Sequence, residues 1–298
     1  SFMTGEFIGD LKTKKAMSSS LGSFLANLDL ALMDFENPIL QYRKCEWDIQ
    51  QLPLNRKYIK AIPDIPKQNL VRYFFMQFQQ YVTPILPELR MSYIHSDANE
   101  WNILIRENEV NALIDFGDMV YSPLINELAT AMTYICYDQE GVYEFILPLI
   151  QSYHQIIPLQ KKEISILFYL MAAKLCISVC HSENAKKEHP NNSYASISEK
   201  NAWKMLHKML EINPIDFENK ILERLDIDKN ANPDIIASMT DLNMIGDEEY
   251  DGIYVDYILD WSTEDLAGND SITLFEGIYL AFTDYGVYDS TTIVTSLT

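Results

Sequence analysis

Short apolar runs alternate with polar residues between residues 93 and 118, and this pattern predicts β-structure. The runs end at Ile94, Ile105 and Ile114, and the polar residues 107–109 separate the last two runs. Brief apolar runs with turn-forming residues between them are typical of strands and tight hairpins. This stretch is therefore expected to fold as strand, polar loop, strand, turn, strand and a second polar loop.

Helical spacing dominates most of the remaining chain up to about residue 225. Apolar residues at intervals of three and four predict helices over residues 21–35, 65–82, 129–137, 142–156, 163–180 and 198–210. The serines at 18–20 are expected to cap the first helix, and the polar residues 181–194 are expected to form a loop. Many helices and one hairpin together predict an α+β fold that is mainly α.

Acidic residues are concentrated near the C-terminal end of the chain. The formal net charge is −20, and residues 226–298 contribute 16 acidic side chains and one basic side chain. Residues 1–225 carry 27 acidic and 22 basic side chains. This shift predicts a folded domain over 1–225 and an acidic connector or partial extra domain over 226–298. A nucleic-acid partner is not expected, because no basic stripe is present to replace phosphate counterions.

Two stretches of the acidic part have patterns of their own. Residues 247–258 imitate a calcium-binding loop, but Ile258 stands where an EF-hand needs a glutamate. We therefore reject an EF-hand here. Residues 274–283 have the amphipathic pattern of a helix.

The chain lacks sequence features of membrane and exported proteins. It contains no run of eighteen apolar residues, so a transmembrane helix is not expected. The first eleven residues lack the basic head and apolar stretch of a signal peptide. Cys176 and Cys180 lie four residues apart in an apolar helical pattern, which indicates buried thiols. These observations predict a cytoplasmic protein without a membrane partner.

Three polar side chains stand at the ends of the predicted strands. Asp97 and Asn102 lie in the first polar loop, and Asp115 follows the last strand. One carboxylate can orient an attacking hydroxyl, while an amide and a second carboxylate hold magnesium against nucleotide phosphates. This combination predicts phosphoryl transfer.

The motifs around these residues resemble a known family. Residues 95–102 read H-S-D-A-N-E-W-N and residues 114–118 read I-D-F-G-D; they match the H-x-D-x-x-x-x-N catalytic loop and the D-F-G metal loop of kinases. The 13-residue step between the loops is similar to the aminoglycoside phosphotransferase and choline kinase group. The following M-V-Y-S-P-L-I-N-E-L-A-T-A-M-T-Y resembles the hydroxylysine-kinase-like phosphotransferases. The resemblance extends to about residue 225 and implies the large lobe of a protein-kinase-like fold with a short catalytic-loop hairpin.

The resemblance also implies roles for individual residues. Asp97 and His95 would be the candidate catalytic residues. Asp97 would be the catalytic base or hydroxyl-orienting group, and His95 would hydrogen-bond the backbone near the metal loop. Asn102 and Asp115 would hold Mg²⁺ and the phosphates of ATP or GTP. Asp118 would bind a second magnesium ion or the substrate, or else cap a helix.

Other side chains leave two interpretations open. Glu100 meets a cationic substrate group or is a solvated loop charge. Trp47 lines the substrate pocket or, as we favour, is a buried anchor at a helix junction. Glu127 is expected to pair with a basic residue of the same lobe. The loop at 181–194 contains His181, Glu183 and His189, whose spacing matches no zinc site.

The resemblance favours an ATP- and magnesium-dependent kinase of a small-molecule hydroxyl. The acceptor would be an amino alcohol or a hydroxylated amino acid, since acidic surroundings fit a cation. No glycine-rich phosphate loop and no early-strand lysine occur, so we expect the small lobe of the family to be missing. The alternative is a catalytically incomplete binding or regulatory module. Related kinases are often fused to a class III aminotransferase, which implies such a module as a covalently linked partner.

Overall fold

The computed structural model describes residues 4–12, 14–188 and 195–227, together with the short strands Thr273–Leu274 and Ala281–Phe282. The chain divides into two units, Ser1–Lys229 and Asn230–Thr298. The described part of the first unit is mainly helical and carries two small antiparallel sheets. The predicted fold class, α+β and mainly α, is confirmed.

Five short strands form the two sheets of the first unit. They are β1 (Glu6–Phe7), β2 (Met91–Ile94), β3 (Ile103–Arg106), β4 (Glu109–Leu113) and β5 (Val120–Pro123). One sheet has the order β1-β3-β4, and the other pairs β2 with β5. Strands β3 and β4 form the predicted hairpin, in which Glu107 and Asn108 have φ values of 56° and 62°. Two consecutive positive φ values are typical of a type I′ turn.

The helices of the first unit account for most of its described residues. They are α1 (Ser18–Leu32), α2 (Pro38–Gln41), α3 (Ile65–Gln77), α4 (Ile125–Ile135), α5 (Tyr143–Ile156), α6 (Lys161–Ile164), α7 (Leu167–Glu188), α8 (Ala195–Leu210) and α9 (Pro214–Arg224). A 3₁₀ segment spans Ile49–Ala61, and α3 continues as one π-helical stretch over Phe78–Val82.

Helix α1 begins earlier than predicted. A 3₁₀ turn at Lys15–Met17 runs directly into it, so Ser18 already has helical angles of φ −56° and ψ −49°. The predicted serine cap is therefore wrong. Gly22 lies where α1 crosses α5, and a Cβ atom there would overlap the carbonyl oxygen of Leu149. Glycine thus permits the close approach of the two helices.

Helix α3 begins where the sequence predicts. The Asp64 side chain accepts a hydrogen bond of 2.8 Å from the backbone N–H of Lys67, and Pro66 occupies the first turn. The buried face of α3 carries Leu70, Val71, Phe74 and Phe75, whereas Tyr73 is 42 % exposed.

Helix α7 is the central core helix. It packs against the 3₁₀ segment, α3, α4, α8 and α9. The predicted loop at 181–194 is wrong for residues 181–188, which continue the helix because their polar side chains find partners on other elements. His181 stacks on Trp47, and Glu183 accepts a hydrogen bond from Trp203. His189 lies outside the described residues.

One described segment has the length and composition of a membrane span. It is Lys161–Glu188, with a mean hydropathy of 1.8 over its most apolar window. We find 83 % of that window buried within the protein. An apolar helix with this burial is what the centre of a folded domain requires.

Further predictions concern the cysteines and the C-terminal part. All four cysteines are buried free thiols, which confirms the prediction made for Cys176 and Cys180. In the second unit, Thr273–Leu274 pairs antiparallel with Ala281–Phe282. The prediction of a helix over 274–283 is wrong for residues 274, 281 and 282, which lie in these paired strands. β-Branched and aromatic residues such as Thr273 and Phe282 favour strands. The residues of the rejected EF-hand, 247–258, lie outside the described part.

Candidate active site

The loop between β2 and β3 holds Asp97 in a fixed position. The Asp97 carboxylate oxygen Oδ2 accepts hydrogen bonds of 2.9 Å from the side-chain amides of both Asn99 and Asn102. Asn102 also donates to the Asp97 backbone carbonyl at 2.9 Å. The other carboxylate oxygen, Oδ1, accepts no hydrogen bond from the described residues. Two of the predicted site residues are thus in direct contact, and one carboxylate oxygen is left for a ligand.

The electrostatic surroundings of Asp97 make it a better proton acceptor than a solvated aspartate. Burial raises its pKa, whereas the charge of Lys174 and the hydrogen bond from Asn99 lower it. The negative charge of Asp118 raises it again. The net direction is upward, because the half-buried carboxylate loses more hydration than its neighbours replace.

The residue before Asp97 has a backbone conformation that needs support. Ser96 has a φ of 68°, and its N–H donates to Glu127 Oε2 at 2.9 Å. Glu127 is fully buried on α4. The predicted basic neighbour is present, since the charge of Lys174 lowers the pKa of Glu127, but the direct hydrogen bond that Glu127 accepts comes from the backbone. A buried carboxylate that accepts from a strained loop fixes the loop's path.

Lys174 supports the same loop through a second contact. It is fully buried on α7, and its Nζ donates to the carbonyl oxygens of Ser96 at 3.0 Å and Trp47 at 3.1 Å. The catalytic loop and the segment at Trp47 are therefore held against one ammonium group. A buried cation bonded to carbonyl oxygens avoids the cost of an unpaired charge.

A second carboxyl lies close to Glu127. Asp29 is fully buried on α1 and accepts a hydrogen bond of 2.6 Å from the Tyr153 hydroxyl. Burial raises the pKa of Asp29 well above its ordinary value, and the charge of Glu127 raises it further. Sequence reasoning missed Asp29, because a single acid inside an apolar helical pattern looks like a surface position.

His95 connects the loop that carries Asp97 to the loop that carries Asp115. Its Nε2 lies 3.0 Å from the carbonyl oxygen of Ile114, and its Nδ1 accepts the Asp97 N–H at 3.2 Å. The ring also packs edge-on against Phe116, with centroids 4.7 Å apart. These partners assign the proton to Nε2. Both ring nitrogens are engaged, which fits a structural role better than proton transfer.

The metal loop exposes its first carboxylate. Asp115 has a φ of 65°, and its Oδ1 accepts a hydrogen bond of 3.2 Å from the Gly117 N–H. A Cβ atom on Gly117 would lie 2.9 Å from that same oxygen, so a larger residue there would displace the Asp115 carboxylate from this position. The N–H of Ile114 donates to the backbone carbonyl of Asn102 at 2.9 Å. This bond connects Asn102 to the residue directly before Asp115.

Asp118 has partners that Asp115 lacks. Its Oδ1 lies 3.8 Å from the Arg43 guanidinium and 3.8 Å from the Cys45 sulfur. Asp118 stands at the end of a 3₁₀ turn, and the residue before α4 is Leu124. The capping alternative for Asp118 is therefore wrong.

Glu100 is not a solvated loop charge. Only 6 % of it is exposed, and burial raises its pKa while the nearby Lys14 charge lowers it. Trp47 is half-buried against the core and stacks on His181. This contact places the Trp47 ring between the hydrophobic core and the surface.

A magnesium ion at this site would be held by an amide oxygen and a carboxylate oxygen. Among the residues that the structure describes, no three His, Cys, Asp or Glu side chains are grouped so that they could hold a metal ion. The side-chain nitrogen of Asn102 is committed to Asp97, which leaves its amide oxygen for a cation. With the exposed Asp115, this gives two hard oxygen donors, and magnesium in kinases takes its other ligands from phosphates and water. The residues fit such an ion.

Comparison with known proteins agrees with this arrangement. The model of the phosphotransferase enzyme family APH matches residues 5–159, slightly more than half of the chain. The chain belongs to this family. The predicted relationship to the aminoglycoside phosphotransferase and choline kinase group is thereby confirmed.

The curated relatives of the chain include hydroxylysine kinases. The Danio rerio protein is 23 % identical over 228 residues, which cover 74 % of this chain and 64 % of that protein. The Mus musculus protein is 25 % identical over 224 residues, which cover 71 % and 60 %. The chain thus spans about three fifths of the length of these relatives.

Solved structures share the fold. An aminoglycoside phosphotransferase from Alicyclobacillus acidocaldarius has a TM-score of 0.51 at 14 % identity, covering 76 % of this chain and 70 % of that one. A choline kinase from Cryptosporidium parvum has a TM-score of 0.50 at 13 % identity, covering 76 % and 71 %. At these identities the likeness concerns the fold alone.

Proposed function

We propose that this chain provides the acceptor and metal side of a kinase that transfers a phosphoryl group from ATP or GTP to the hydroxyl of a small molecule. The observation that carries the proposal is the state of Asp97. Its Oδ2 is held by two amides, while its Oδ1 stays without a partner among the described residues. A carboxylate fixed in this way can receive a hydroxyl and aim it.

In the transfer, Asp97 Oδ1 accepts a hydrogen bond from the acceptor hydroxyl and orients the oxygen toward the γ-phosphorus. The bond from phosphorus to the β–γ bridging oxygen breaks, and a bond from phosphorus to the acceptor oxygen forms. The hydroxyl proton passes to Asp97 late in the step, as expected for a loose transition state. The raised pKa of Asp97 helps it hold this proton.

Asn102 and Asp115 are the residues that would hold magnesium. A bound divalent ion neutralises charge on the phosphates of the nucleotide. The chain's own contribution is to keep both oxygen donors in place, through the Asn102 bond to Asp97 and the Gly117 bond to Asp115. Asp118 stays a candidate for a second ion, although Arg43 already balances part of its charge.

The acceptor is proposed to be an amino alcohol or a hydroxylated amino acid. This proposal is supported by the similarity to proteins named hydroxylysine kinase. A cytoplasmic location and a covalently linked aminotransferase module both stay predictions from the sequence and its resemblance.

A transfer assay with the full-length protein tests the proposal. We expect phosphate transfer from labelled ATP or GTP, in the presence of Mg²⁺, to one member of a panel containing 5-hydroxylysine, ethanolamine, choline and an aminoglycoside. Lysine is the matched control for hydroxylysine because it lacks only the hydroxyl. If calorimetry detects no binding of either nucleotide, the kinase proposal is wrong.

A further inference from the structure

We propose that Glu46, Trp47, Tyr58 and His181 form the binding site for an ammonium group of the acceptor. This inference rests on the proposed kinase function and names the part of the site that would select a cationic substrate. The four residues come from two distant parts of the chain, the segment around residues 46–58 and helix α7.

Three rings form the apolar part of this ammonium site. Trp47 and His181 are stacked, with centroids 4.3 Å apart and planes inclined by 18°. Tyr58 lies against the same imidazole at 5.0 Å. Trp47 and Tyr58 are only half-buried, so part of each ring can meet a ligand. The electron-rich faces of tryptophan and tyrosine attract cations.

Glu46 supplies the negative charge at the edge of the rings. Its Oε2 accepts a hydrogen bond of 2.8 Å from the Tyr58 hydroxyl and lies 3.9 Å from His181 Nε2. The Glu46 side chain is 31 % exposed, so solvent and ligands reach it. A carboxylate beside aromatic faces is the combination that an alkylammonium group prefers.

A cation of the protein itself already makes these contacts. The ammonium of Lys57 lies 2.5 Å from Glu46 Oε1 and 4.7 Å from the centre of the Tyr58 ring. The Lys57 side chain is 56 % exposed, and a long surface lysine changes rotamer readily. We interpret Lys57 as a stand-in for the ligand ammonium, which the acceptor would displace.

The ammonium site lies near the Asp97 loop, since Lys174 Nζ is 5.8 Å from the centre of the Trp47 ring and 3.0 Å from the Ser96 carbonyl oxygen. Lys174 Nζ donates hydrogen bonds to the carbonyl oxygens of Trp47 and Ser96. Trp47 follows Glu46 in the sequence, and Ser96 precedes Asp97. The same buried ammonium therefore positions the segment that binds the cation and the loop that receives the hydroxyl. A small acceptor that carries both groups can bridge the two.

The charges around the site agree with this role. Hydrogen bonds from Lys57 and Tyr58 lower the pKa of Glu46, so it is ionised at neutral pH. Burial lowers the pKa of His181, which therefore presents an uncharged ring. When Lys57 moves away, one net negative charge remains to receive the ligand.

Steady-state kinetics of two variants test the inference. Glu46→Gln is expected to raise KM for 5-hydroxylysine about ten- to hundredfold, the range for one charge-assisted hydrogen bond, with kcat nearly unchanged. Hydroxylysine acetylated on both amines keeps the hydroxyl but has no ammonium, and its KM should be unaffected. Lys57→Met removes the competing cation and should lower KM for 5-hydroxylysine several-fold.

A second surface ion pair provides the matched control. Lys15 and Glu144 are 2.8 Å apart. Lys15 is as exposed as Lys57, 58 % against 56 %, while Glu144 is more exposed than Glu46, 61 % against 31 %. This pair lacks the three rings of the ammonium site, so Glu144→Gln and Lys15→Met should change neither KM. The inference is overturned if Glu46→Gln affects both acceptors equally, or if Lys57→Met raises KM in the same way as Glu46→Gln.

Calorimetry separates this inference from the kinase proposal. If the wild-type protein transfers no phosphate to any acceptor, the proposed function fails, but 5-hydroxylysine binding can still be measured. Binding that is weakened in Glu46→Gln and tightened in Lys57→Met supports the ammonium site on its own. Binding that is absent in the wild type, or equal in all three proteins, overturns it.

Discussion

Asp97 and Asp115 are both acids in loops at strand ends, yet their surroundings differ in kind. Asp97 is half-buried, and two side-chain amides hold it. Asp115 is exposed, and its contact is with a backbone N–H two residues away. The first is organised in advance by side chains from its own loop, while the second would, in the proposed function, gain its further partners from a metal and a nucleotide. The proposed acceptor side is thus preformed, and the proposed metal side is conditional on those ligands.

Removing the charge of Asp97 should have the largest effect. We expect Asp97→Asn to lower kcat by about a thousandfold, within the range for a positioned acid–base group, with nucleotide affinity nearly unchanged. Kinetics and nucleotide calorimetry on the full-length protein measure the two quantities. Asp34→Asn, the same change at an exposed acid two residues after the end of α1, is the control. Equal losses of turnover and nucleotide affinity would assign Asp97 to structure instead.

Substitutions at the proposed metal-binding residues should change the magnesium concentration that the enzyme requires. Asp115→Asn is expected to raise the Mg²⁺ concentration for half-maximal activity by about ten- to hundredfold, because a charged ligand is replaced by a neutral one. Asp118→Asn should raise it less, since Arg43 already neutralises part of that carboxylate. A magnesium titration of both variants gives the ranking. The reverse order would show that Asp118 is the principal ligand.

The preformed side should also contribute to stability. Asn102→Ala removes the two hydrogen bonds that Asn102 donates to Asp97, one to the backbone carbonyl and one to Oδ2, and should lower the free energy of unfolding by about 1–3 kcal/mol. Urea denaturation provides the measurement. Asn27→Ala removes a solvent-exposed hydrogen bond from the Asn27 side-chain amide to the Ser23 carbonyl oxygen. It should lower the free energy of unfolding far less. Similar decreases in the free energy of unfolding of the two variants would contradict the view that hydrogen bonds within the Asp97 loop stabilise it.

The smallest effect concerns the buried acid beneath the loop. The folded-state pKa of Asp29 is raised above its unfolded value, so its protonated form stabilises the fold at low pH and that stabilisation is lost as pH rises through the folded-state pKa. Asn cannot titrate and can still accept the bond from Tyr153. Asp29→Asn should therefore become more stable relative to the wild type as the pH rises from 5 to 8. Urea midpoints at the two pH values test this, and a relative loss of stability from pH 5 to pH 8 would contradict it.

The same contrast explains what sequence could predict. Local features were predictable: the hairpin follows from short apolar runs, and the Asp97 and Asp115 loops follow from motif spacing. Contacts between distant elements were not, such as Glu127 with Ser96 or Asp29 beside Glu127, because neither has a local pattern. Residues 181–188 were misread as a loop since their polar side chains find partners on other elements. Helix α9 was missed although Asn213 and Pro214 form a clear start signal.

Lys174 also has a consequence for synthesis on the ribosome. It follows Ser96 by 78 residues, which corresponds to roughly 4–16 s of elongation at common translation rates. During that interval the nascent catalytic loop lacks the ammonium that bonds its carbonyl oxygen. The loop that carries Asp97 is synthesised early, but it can reach its final conformation only after α7 has emerged and docked.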